Sequence, residues 1–141
     1  MNPYPNDFQK VVDYLKERGI YVQLSTSTNF FGGGVNLINI HHRYNLEKNG
    51  LFALLHEAGH SLQNTEVYGP NHYKRIDDEE QPTKFNMYRF MNEVDAWDRG
   101  ELLAEDLGIN LDKKSFSKCK ELAALPPFPQ RNTCFFPFQA V

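Results

Sequence analysis

Residues 51–63 read Leu51-Phe52-Ala53-Leu54-Leu55-His56-Glu57-Ala58-Gly59-His60-Ser61-Leu62-Gln63. Leu51, Leu54, Leu55, Ala58 and Leu62 recur at the i, i+3, i+4, i+7 spacing of one buried helix face. The predicted helix runs from about Leu46, after an Asn45 cap, to Gln63. His56 and His60 lie four residues apart, so they stand one turn above each other on the face opposite the leucines. One side of this helix is expected to pack while the other presents two imidazoles.

Working outward, Asn6 and Asp7 read as N-caps of a helix carrying Phe8, Val11, Val12 and Leu15, which Gly19 stops. Ile20 to Leu24 reads as a strand, Ser25 to Gly34 as a loop, and residues 35–42 as a second strand with both faces partly apolar. Beyond the histidines, residues 64–82 hold Gly69-Pro70, the acidic run Asp77 to Glu80 and Pro82, which predict a loop. A long helix follows from about Thr83 to Leu107, closed by Gly108, and a shorter one from about Ser115 to Leu125. The aromatic tail, about residues 126–141, is expected to dock on the body. These elements predict an α+β fold, mostly helical, with a small sheet packed beside the histidine helix. At 141 residues the chain fits a single domain, 1–141.

Charged residues make up 23% of the chain and its formal net charge is −3, a balance that disfavours disorder and binding to a phosphate backbone. No apolar run approaches the roughly 20 residues of a membrane span, and residues 1–6 lack the basic and apolar regions of a signal peptide. A cytoplasmic protein with no membrane or nucleic-acid partner is the expectation; oligomeric state is open. Cys119 and Cys134 are too few for a disulfide scaffold and form no CxxC, so they read as reduced thiols or one pair.

His56-Glu57-Ala58-Gly59-His60 is an HExxH. Two imidazoles at this spacing can point at one zinc ion, while Glu57, rotated about 100° from His56, can reach a zinc-bound water without being forced to ligate. Zinc lowers the pKa of that water to roughly 7, and Glu57 is placed to take its proton. A third protein ligand is needed. Glu93 shares the face of the long helix that carries Phe90, Ala96, Trp97, Gly100, Leu103, Ala104 and Leu107, and a carboxylate on an apolar face is costly unless paired or metal-bound. Glu66 stands at the third-ligand place of the metzincin pattern, where Gln63 replaces its glycine. His72, in the following loop, is the remaining candidate. Glu93 is preferred.

HEAGH on one helix with Glu93 on a later one resembles the gluzincins, the thermolysin-like zinc peptidases. The small size and the run Glu93-Val94-Asp95-Ala96-Trp97 look like the compact ImmA/IrrE-type metallopeptidase domains, whose pattern usually has asparagine where this chain has Trp97. Leu102-Leu103-Ala104 and Leu107-Gly108-Ile109 extend the similarity to small phage-encoded metallopeptidases, which would act in a host cytoplasm. The resemblance covers roughly residues 35–110. It implies one Zn2+ per chain held by His56, His60 and Glu93, with Glu57 as general base in hydrolysis of a peptide or protein substrate. Asp95 or Asp98 would orient a ligand histidine. Tyr68, His72, Tyr73 and Tyr88 are candidates for stabilising the oxyanion.

The function expected is thus that of a zinc-dependent peptidase; the alternative is a zinc-stabilised binding or regulatory module with little turnover. The strand at residues 35–40 would line the cleft and could pair with an extended substrate, unless both its edges are occupied. Gly32-Gly33-Gly34 lacks the GK[ST] of a phosphate loop, Asp77 to Glu80 lacks EF-hand spacing, and His41-His42 reads as a polar strand end.

Overall fold

The computed structural model describes residues 3–32, 34–41, 48–63 and 87–124. Its elements are α1 (Tyr4–Glu17), β1 (Tyr21–Ser25), β2 (Phe30–Gly32), β3 (Leu37–His41), α2 (Lys48–Ser61), α3 (Met87–Asp106) and α4 (Lys113–Ala124). The fold is α+β and mostly helical, as expected. Residues 64–82, the tail from 126, Glu66, Tyr68, His72, Tyr73 and Cys134 lie outside the described residues, as do the predicted helix starts at Leu46 and Thr83.

Helix α1 begins before its predicted caps. Pro3 occupies the N-cap position and Pro5 the first turn, where a missing N–H costs nothing and the fixed φ suits a helix. Asn6 and Asp7 therefore sit inside the helix. Asp7 gains from its place in the first turn, where its own N–H donates to Pro3 O at 3.0 Å. At the other end Gly19 adopts φ 77°, its N–H donates to Lys16 O, and Ile20 N–H donates to Leu15 O. That double closure satisfies the last carbonyls and drives Ile20 into the core. Gly108 and Ile109 repeat the same arrangement at the end of α3.

The sheet has the order β1-β3-β2, with β1 parallel and β2 antiparallel to β3. Strand β2 corrects the predicted loop: Phe30, Phe31 and Gly32 pair with Asn39, Ile38 and Leu37. The second strand starts at Leu37 rather than residue 35, because Asn36 takes φ 50° and Val35 N–H donates back to Gly32 O, closing a turn. Ile38, Asn39 and Ile40 are all buried, so β3 is covered on both faces. Both its edges are paired, which removes it as a strand-addition site; among the described residues, β2 is the outer strand on that side.

Helix α2 is not amphipathic in the expected sense. Gly50 to Gly59 are all buried, histidine and glutamate included, because α1, β3, β2 and α3 all pack against it. Phe116 of α4 caps an aromatic cluster, edge-on to both Phe52 and Trp97 at 5.1 Å between centroids. Cys119 is buried in the same core. Burial of large apolar side chains such as these contributes about 1.5–3 kcal/mol each.

The α2–α3 contact positions everything that follows. A Cβ at Gly59 would collide with the carbonyl oxygen of Ala96, and one at Gly100 would lie 2.5 Å from Leu55 O. The two helices thus meet backbone to backbone through Gly59, Ala96 and Gly100. Such proximity is available only to residues with little or no side chain, and it carries the first turns of α3 across the histidine face of α2.

Candidate metal centre

One turn before the close approach, Glu93 projects from α3 between the two histidines. Its Oε1 is 3.2 Å from His56 Nε2 and its Oε2 is 2.9 Å from His60 Nε2. The two Nε2 atoms, presented by residues one helical turn apart, therefore converge on one carboxylate. His56, Glu57 and His60 also each offer a ligand atom within 4.8 Å of the others. Two imidazoles and a carboxylate form the N,N,O donor set that suits zinc, so the residues present fit the ion the sequence suggests. Glu57 Oε2 lies 3.5 Å from His56 Nδ1, a charge contact rather than a formed hydrogen bond.

The rings are held from several sides. The indole of Trp97, fully buried, stacks on His56 with centroids 4.5 Å apart and planes at 11°. His60 Nδ1 lies 3.2 Å from Gln63 Oε1. Gln63 Nε2 in turn donates to Asn92 O at 3.0 Å and to Asp95 Oδ2 at 2.9 Å. Asp95 Oδ2 also accepts from Arg99 Nε at 2.7 Å, and Arg99 Nη1 donates to Leu62 O at 3.0 Å. Of the two aspartates expected to orient a histidine, Asp95 reaches His60 through Gln63. Asp98 faces outward and pairs with Lys120 at 3.0 Å.

These contacts set the charges. Burial alone would lower His60, but the hydrogen bond and charge of Glu93, with Glu57 and Gln63, outweigh it and carry the ring up to about 9. Burial likewise works to raise Glu93, yet the hydrogen bonds and charges of His56 and His60 hold its carboxyl well below the usual carboxylate range. A third of the Glu93 side chain remains accessible, consistent with its place on a cavity wall. Glu57 is pushed up, by burial first and by Glu93 last, with His56 and His60 opposing.

A cavity of about 440 Å³ opens over this cluster, within the range of small-ligand sites. Among the described residues its lining includes Asn29, Phe30 and Phe31 together with His56, Glu57 and Glu93. Asn29 is buried, and its Oδ1 accepts from His41 N at 2.7 Å, which leaves Nδ2 as its donor. That nitrogen has no hydrogen-bond partner among the described residues. The turn that delivers Asn29 is built on Asn39, whose Nδ2 donates to Ser27 O and Thr28 O while its Oδ1 accepts from Gln23 and Ser25.

The sequence-predicted residues His56, Glu57, His60 and Glu93 are thus brought together. Glu66, His72, Tyr68 and Tyr73 lie outside the described residues, and so does the Tyr88 side chain. Sequence reasoning missed Asn29, Phe30 and Phe31, and registered Gln63 only as the residue replacing a glycine. Two adjacent phenylalanines beside a glycine run were the available signal for the cavity wall. Comparison with protein-family models, curated proteins and solved structures finds no match to this chain.

Proposed function

We propose that this chain is a zinc-dependent peptidase, with His56, His60 and Glu93 as zinc ligands and Glu57 as the general base. The observation that carries the reading is the convergence of both Nε2 atoms on the Glu93 carboxylate, in a cavity that Glu57 also lines. A bound zinc ion would supply Lewis acidity and a water acidified to about pKa 7. Glu57 is buried and its basicity is increased by that burial, which suits a carboxylate that must take a proton and return it to a leaving amine. Phe30 and Phe31 give the cavity an apolar surface for substrate side chains. Strand β2, paired on one side with β3 and outermost among the described residues, offers an extended peptide a backbone edge.

Two measurements test this. Elemental analysis of the purified protein should find close to one zinc per chain. Glu57→Gln should keep that zinc and lose chelator-sensitive peptide cleavage. Undiminished cleavage by Glu57→Gln removes Glu57 from the chemistry. Zinc retained by a wild-type chain that cleaves no peptide in a broad library overturns the peptidase reading in favour of a zinc-stabilised binding module.

A further inference from the structure

We infer that Gln63, held by Asp95 and Arg99, is a positioning residue that fixes the tautomer and tilt of His60 so that Nε2 is the ligating nitrogen. This rests on the metal-centre reading above and extends it to residues outside the HExxH.

The orientation of the Gln63 amide follows from what surrounds it. Its nitrogen faces Asn92 O at 3.0 Å and Asp95 Oδ2 at 2.9 Å, and both of these oxygens can only accept from it. Asp95 Oδ2 is further committed as an acceptor to Arg99 Nε at 2.7 Å. A flipped amide would set its oxygen against two acceptors, so Oε1 must be the atom that meets His60 Nδ1. An amide oxygen has no proton to give. Nδ1 of His60 therefore carries a hydrogen; in the metal-free chain Nε2 carries one as well, donated to Glu93 at 2.9 Å, and once that proton leaves, Nε2 is the nitrogen able to ligate.

The anchor is rigid for a reason visible in α3. Asn92, Asp95 and Arg99 follow the i, i+3, i+7 spacing of one helix stripe, next to the face that carries Glu93. Arg99, itself buried, also donates to Leu62 O, the residue before Gln63. The same helix thus sets Glu93 against the Nε2 atoms of His56 and His60 and, through Asn92 and Asp95, holds the Gln63 oxygen that accepts from His60 Nδ1. Partners of this kind, beyond the ligands themselves, are worth about 10–100-fold in metal affinity.

The test compares wild type, Gln63→Leu and Gln63→Glu. Each is titrated with zinc against a chelating dye, melted without zinc, and examined when zinc-loaded by two-bond 1H–15N correlation of the histidine rings. Wild type should show His60 protonated at Nδ1 with Nε2 on the metal. Gln63→Leu should bind zinc about 10–100-fold more weakly and lose the protected Nδ1 proton signal. Gln63→Glu sets a carboxylate oxygen against Asn92 O and Asp95 Oδ2 and should also weaken binding. A fall in melting temperature with zinc affinity and His60 signals unchanged would overturn the inference, reducing Gln63 to a tie between helices. A wild-type chain that takes up no zinc overturns the metal-centre reading itself.

Discussion

Trp97 lies face to face with His56, 4.5 Å between ring centroids and 11° between planes. The indole is thus the floor on which one candidate ligand rests. It is also the chain's single tryptophan, so its emission reports on the imidazole beside it. Zinc added to the metal-free protein should change Trp97 fluorescence in a saturable way, and His56→Ala should abolish the response. Trp97→Ala, which empties a fully buried site, should cost about 3–5 kcal/mol in denaturant unfolding.

Glu93 is the candidate ligand contributed by α3. Glu93→Ala should lower zinc affinity by more than the roughly 10–100-fold expected for an orienting partner. It should also release the ring it holds: His60 should titrate well below the value of about 9 it has beside Glu93. Competition titration and histidine NMR read the two effects separately.

The pH dependence of the metal-free chain follows from three groups. His60 is raised from 6.5 to about 9, so its contribution to folding is complete below 6.5 and is lost as pH rises through 9. Glu57 is raised from 4.5 and works in the same sense, its contribution fading as pH rises. Glu93 is lowered from 4.5, so its contribution is present above that value and is lost on acidification. The melting temperature should therefore peak between about 4.5 and 6.5 and decline towards 9. Zinc reverses the trend, since it needs the unprotonated ring. Its stabilisation should grow with pH up to about 9.

Gly59 and Gly100 admit no side chain. Gly59→Ala should destabilise by about 1–3 kcal/mol or more, despite alanine's helix preference of about 1 kcal/mol. Gly100→Ala meets Leu55 O at 2.5 Å and should fall in the same range. Gly108→Ala, in open space at φ 72°, should cost only the left-handed backbone penalty of about 1–2 kcal/mol. Paired unfolding curves rank the three.

The parts legible in the sequence were those with local periodicity. The spacing of Leu51, Leu54, Leu55, Ala58 and Leu62 gave α2, the phase of Glu93 with Ala96, Trp97 and Gly100 gave the inward face of α3, and Gly19 and Gly108 marked helix ends. Strand β2 escaped because three residues beside a glycine run carry no alternation; it exists only by pairing with β3. The burial of α2 on all sides was half visible in Phe52 and Ala53, apolar positions off the main stripe. Gln63 carried no local signal. Its role depends on Asn92 and Asp95, distant in sequence and brought near by a helix crossing that no short window encodes.

That crossing has a thermodynamic consequence. His56, His60 and Glu93 stand on two helices whose backbones are already in contact at Gly59, Ala96 and Gly100. The candidate donor set is assembled without an ion, so on the proposed reading zinc would bind with neither new helix nor new burial of apolar surface among the described residues. Calorimetric titration should return a heat-capacity change near zero and an unchanged far-ultraviolet circular dichroism spectrum, the opposite of a zinc finger that folds around its metal.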